Sequence, residues 1–139
     1  MEQSILKSTK KVLQIAPDDT SFDLDILTHI NSAFSDLNDI GVGPEDGFVI
    51  EDEAPEWGAF VADEEKVRQS RVKTYVYLKV RLLFDPPATT YHLSAAQEQL
   101  KEAEWRLNVG QEAENWVDPD PPTTVEEDDE PVLYDGGSA

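Results

Sequence analysis

VKTYVYLKVRLLFDPP, residues Val72–Pro87, decides the fold. Its apolar residues fit two periods. Val76, Leu78, Val80 and Leu82 alternate as in a strand, while Val72, Tyr75, Val76, Val80 and Leu83 make a helical stripe. Length resolves the ambiguity. From Asp63, a candidate N-cap, to Phe84 the chain runs for roughly twenty residues without Gly or Pro, far beyond an ordinary strand. Asp85-Pro86-Pro87 then ends the helix, because proline lacks the N–H and biases the residue before it out of helix. Apolar residues nearly all round the second half mark it as the central, most buried helix.

Toward the N-terminus, Ser4–Ile15 reads as a short first helix with Ile5, Val12 and Ala16 on one face and Leu6 and Leu13 beside it, stopped by Pro17. Asp18-Asp19-Thr20-Ser21 then offers several N-caps for a second helix, with Asp23 three residues after Thr20 as in a capping box, and that helix carries Phe22, Ile26, Ile30, Ala33, Phe34, Leu37 and Ile40 at spacings of three and four. Gly41-Val42-Gly43-Pro44 terminates it. Glu45–Glu56 reads as a loop with a short extended piece at Phe48–Ile50, pinned to the core by Trp57 and Phe60. The last helix opens near Tyr91–Ser94 and carries Leu93, Ala96, Leu100, Ala103 and Leu107 as a stripe. That stripe is too short for a free coiled coil, so the helix is expected to pack on the central one. Trp105 falls off the stripe and reads either as a second contact surface or as a partly covered surface residue. The expected fold is all-α: a small bundle of about four helices with a long central helix and an irregular loop at 41–55.

Composition divides the chain into a helical domain, 1–116, and a tail, 117–139. The tail carries Pro119, Pro121, Pro122, Pro131 and Gly136-Gly137 among its acids, and too little apolar surface to offset ordering entropy, so it is expected to be flexible. Val132, Leu133 and Tyr134 form a small apolar cluster within it, open to reading as a docking motif or as incidental. The formal charge is −19, and from Trp116 onward there are eight acids and no Lys or Arg. Such a balance argues against free nucleic acid as a ligand, since attraction to phosphates needs a basic footprint. One region departs from the pattern: Lys66, Arg68, Arg71, Lys73, Lys79 and Arg81 stand on the central helix with no acid between the first and the last. This reads either as an inter-subunit basic face meeting a neighbour's acids in a ring-closing contact, or as internal pairing.

No catalytic constellation is present. With no cysteine, disulfides, thiolate catalysis and Cys-based metal sites are excluded, which fits a reducing compartment. His29 and His92 are lone residues without ligand-spaced neighbours, so no metal is expected. Acid runs such as Asp18/Asp19, Asp23/Asp25 and Glu51–Glu53 are chance adjacencies in so acidic a chain, and no calcium-loop pattern accompanies them. Gly41–Gly47, GVGPEDG, lacks the Lys-Ser/Thr of a phosphate loop and follows a helix, so no cofactor is expected. Met1–Lys11 does not read as a signal peptide, and no segment approaches a membrane span.

HINSAFSDLNDIGVGPEDGFVIED (His29–Asp52), Trp57 with Phe60, VKTYVYLKVRLLFDPP and EWRLNV (Glu104–Val109) together resemble the head-to-tail connector (adaptor, head-completion) proteins of long-tailed bacteriophages. The similarity covers about Ser4–Val109 and rests on length and order, with no catalytic signature. The resemblance implies a homo-oligomeric ring of about twelve copies below the portal, assembled in the host cytoplasm and resident in the virion neck. It implies as partners the portal protein and the next connector, stopper or tail protein, with packaged DNA passing through the channel unbound. It implies a portal-facing surface near the end of the last helix, here Trp105, Leu107, Val109 and Trp116, joined by Val132, Leu133 and Tyr134. The alternative from another class is a soluble acidic phage protein that inhibits a host nucleic-acid-binding protein by DNA mimicry.

Overall fold

The computed structural model describes residues 3–115, which form five helices and, among the described residues, no strand. The tail 117–139, and with it Trp116, Val132, Leu133 and Tyr134, lies outside the described residues. The helices are α1 (Ile5–Val12), α2 (Asp23–Asp39), the single turn α3 (Trp57–Phe60), α4 (Lys66–Phe84) and α5 (Thr90–Asn115). The long α4 lies between α2 and α5, and α1 and the 41–60 segment pack against both α2 and α4.

Both early helices end in the same device. In α2, Gly41 adopts φ 86°, the Val42 N–H donates to the Leu37 carbonyl at 2.9 Å and the Gly41 N–H to Asn38 at 3.0 Å. The left-handed residue satisfies the last carbonyls and folds Val42 back onto Leu37, where both are buried. In α1 the same bonds form without a glycine: the Ile15 N–H donates to Lys10 at 2.9 Å and the Gln14 N–H to Lys11 at 3.1 Å, with Gln14 at φ 63°. Helix α1 thus stops at Val12 through this cap and not at Pro17, and Ala16, expected on its apolar face, is exposed. Gln14 is itself exposed, so Gln14→Gly relieves the left-handed strain and raises stability by about 0.5–1 kcal/mol, measurable by urea unfolding.

Two expected caps are not made. Helix α2 starts at Asp23 with no side-chain cap, because Asp19 draws the approach into its own turn by accepting from the Ser21 hydroxyl and amide. Those bonds, the hydroxyl's first, hold the Asp19 carboxyl below its ordinary range. Asp63 does not cap α4, which begins at Lys66; instead it accepts from Gln69 Nε2 at 2.9 Å. Gln69 is buried and also donates to the Val61 carbonyl at 2.8 Å, tying α3 to α4. Helix α5 does have a cap: the Thr89 hydroxyl accepts from the His92 N–H at 3.2 Å.

The core is aromatic at its centre. Phe34 of α2 stacks on Phe60 with centroids 4.5 Å apart, and meets Phe48 and Trp57 edge-on at 5.2 and 6.3 Å. Trp57 is fully buried, donates its indole N–H to Ser8 Oγ at 2.9 Å and meets Tyr77 edge-on at 5.7 Å. The loop is anchored along its length: Val42 and Ile50 are buried, and Asn31 of α2 clamps Ile50 with its side-chain amide, accepting from its N–H at 2.9 Å and donating to its carbonyl at 3.0 Å. Phe48–Ile50 therefore needs no strand partner; an amide side chain serves as one. A bridge between Ser4 and Glu56, with the Ile5 N–H donating to Pro55, fastens the loop's end to α1. Lys10 is also buried, its ammonium 2.9 Å from Asp23 Oδ1 and 3.2 Å from the Pro17 carbonyl, so it joins α1 to α2.

Candidate partner interface

Helix α4 is not buried all round. Gln69, Val72, Tyr75, Val76 and Val80 face the core, while Val67 and Leu83 are exposed. Helix α5 lies antiparallel to α4 beyond the Pro86-Pro87 corner, and its stripe seals incompletely. Leu107 is buried, but Leu93, Ala96, Leu100 and Ala103 stay partly exposed. A groove therefore runs between the two helices, its middle enclosing about 360 Å³ between Arg71, Thr74 and Leu78 on one side and Gln99, Ala103 and Arg106 on the other.

The residues expected at the portal surface separate. Trp105 is 62% exposed and Val109 41%, one helical turn apart on the outer face of α5, so they form a continuous apolar ridge. Leu107, expected beside them, is 3% exposed and belongs to the core, because its position on the stripe turns it toward α4. Trp116 and the Val132–Tyr134 cluster lie outside the described residues.

The six bases of α4 do not share one face, since a helix turns residues that are close in sequence to different sides. Lys79 pairs with Asp36 of α2 at 3.0 Å, Arg68 with Glu65 at 3.3 Å, and Lys73 stands over the Trp57 ring at 5.9 Å. Lys66, Arg71 and Arg81 are exposed and line the α4/α5 groove and its ends.

Asp36 is a junction that the sequence pattern did not mark. It accepts from the Tyr75 hydroxyl at 3.1 Å as well as from Lys79. Burial, then the Asp36 charge, push the Tyr75 hydroxyl above the ordinary tyrosine value, and burial raises Tyr77 too. A raised folded-state pKa contributes stability that is complete below the unfolded value, about 10, and is lost as pH rises through the folded one. Urea midpoints measured from about pH 8 to pH 11 should therefore fall at the alkaline end, and Tyr75→Phe should flatten part of that fall. An equally steep decline in the variant would remove Tyr75 from the account.

Among the described residues there is no cluster of three or more His, Cys, Asp or Glu able to hold a metal, and no helix long and apolar enough to cross a membrane. His92 is committed to Thr89, its Nδ1 lying 2.7 Å from the hydroxyl, and His29 is half-buried on α2. What the arrangement offers is surface: an apolar ridge, a groove lined by more bases than acids and many exposed carboxylates.

No curated protein and no solved structure matches the chain. A family model described as phage connector protein matches residues 5–114. That match begins with the first residue of α1 and runs to the penultimate residue of α5, over a helical bundle of the expected class, and the chain belongs to the phage connector proteins.

Proposed function

We propose that this protein is a structural component of the virion neck, a head-to-tail connector that closes into a ring of about twelve copies below the portal. In that position it extends the DNA channel, helps to retain the packaged genome and offers the attachment surface for the next connector, stopper or tail protein. The observation that carries the reading is the family match across the whole bundle. The ridge of Trp105 and Val109 supports a partner contact at the end of α5, because a solvent-exposed tryptophan beside a second apolar residue is the composition of an interface anchor. The domain 1–116 carries this surface, and Trp116 at its end adds to it. Acid-rich walls would repel DNA phosphates and let the genome slide without sticking.

Particles assembled without this protein should fill with DNA, lose it and carry no tails. Tailed, infectious particles lacking it would refute the proposal. Assembly should also depend on salt. Copies of formal charge −19 repel one another, so rings should form more readily as ionic strength screens that charge and when a portal templates them. A stable ring at low salt without portal would contradict this.

A further inference from the structure

The groove between α4 and α5 carries cations in excess of its acids: Lys66, Arg68, Arg71, Arg81 and Arg106 line it with Glu64, Glu65, Asp85 and Glu102, and Arg106 is paired with Glu102. Lys66, Arg71 and Arg81 make no ion pair among the described residues, although the chain carries 30 acids. Between these cations the floor is apolar, formed by Leu78 and Ala103 and continued by Leu82 and Ala96. An occupant matched to it would carry acids first and large apolar side chains after them.

The chain contains such a segment beyond the described residues. Glu126–Tyr134 reads EEDDEPVLY, five acids and then Val132, Leu133 and Tyr134 past a proline. We propose that this segment docks in the α4/α5 groove of its own chain. Its acids meet Lys66 and Arg71, and its apolar end seats against Leu78 and Leu82 beside Arg81. The order fits the topology, because α5 delivers the chain to the Lys66 end of α4, so a segment turning back meets the cations before the apolar floor. Length fits as well. At 1.5 Å per residue, Arg106 and Gln99 lie about 14 and 24 Å back from Asn115, and the ten residues before Glu126 reach up to about 33 Å. Along α4, Arg71 to Leu82 spans about 16 Å, and an extended run from Asp128 to Tyr134 about 20 Å. Docking also places acids against unpaired cations in a strongly acidic protein, where charge complementarity steers and orients the contact. A partner that uses the groove must first displace the segment.

The test uses the full chain. There is no cysteine, so Ser138→Cys accepts a single nitroxide label, and amide signals of isotope-labelled protein report which residues it approaches. The expected result is selective loss of amide intensity along Arg71–Leu82 and Gln99–Arg106, with α1 and α2 unaffected. At about 1 M salt, where the Debye length is roughly 3 Å, the loss should shrink, and in the exposed double variant Arg71→Ala/Arg81→Ala it should shrink again. Uniform loss or none overturns the proposal, as does insensitivity to both salt and the double variant. Mixing spin-labelled unenriched protein with unlabelled enriched protein separates the sources. Loss only between copies assigns the groove to a neighbour's tail, and groove signals that move only when portal is added assign it to the portal; either overturns docking within one chain.

Discussion

Trp57→Ala lowers the stability of the bundle by about 3–5 kcal/mol. Trp57 is fully buried, and its ring meets three of the helices: Phe34 of α2, Tyr77 and Lys73 of α4, and Ser8 of α1 through the indole N–H. Truncation removes the largest side chain of the core and opens a cavity that rigid helices on three sides cannot close. It also leaves Ser8 Oγ without its buried donor, although that hydroxyl keeps its own bond to the Ile5 carbonyl at 3.2 Å. A domain of this size has roughly 5–15 kcal/mol of stability in total, so the variant is expected to unfold substantially at moderate temperature. The matched control is Trp105→Ala, which removes the same side chain from an exposed site and should cost under about 1 kcal/mol. Urea unfolding followed by circular dichroism separates the two, and equal losses would show that Trp57 is not the keystone described.

Gly43→Ala is expected to cost about 2–5 kcal/mol, from two independent causes. Gly43 sits at φ 92°, which strains any residue with a Cβ. A Cβ there would also run into the ring of Phe60, which is held by stacking on Phe34 and an edge contact with Phe48 and has no room to retreat. Gly47 separates the causes. It has φ 90° but open space where a methyl would stand, so Gly47→Ala bears the strain alone, about 1–2 kcal/mol. If both substitutions cost the same, the contact of the loop with Phe60 is not as close as described.

The helices and the apolar positions that define them were legible in the sequence because the 3.6-residue period survives wherever one face is buried. Ile26, Ile30, Phe34 and Leu37 on α2, and Val72, Val76 and Val80 on α4, lie in the core as their spacing implies. Gly41 likewise announced its cap. The errors share a physical origin, competition among local polar groups. Thr20 lost the start of α2 to the Asp19 turn, Asp63 bonds Gln69 in place of capping α4, and Gln14 took the left-handed position that the pattern assigned to no residue. Nothing periodic marks Asn31, Asp36 or a buried Lys10, because each is a polar side chain serving particular neighbours across the fold. The candidate surface was legible only in part. Trp105 stood off the stripe, but the same stripe that identified Leu107 as apolar also turned it inward. The bases of α4 formed a run in sequence that the helix then divided among α2, Trp57 and the groove.

The most direct test of the connector assignment is the solution mass of the purified protein by light scattering, alone and mixed with the portal of the same virus. The account predicts that the protein joins the portal as a ring of several copies, and that Trp105→Ala weakens this without unfolding the bundle. A protein whose mass is unchanged by portal would contradict it.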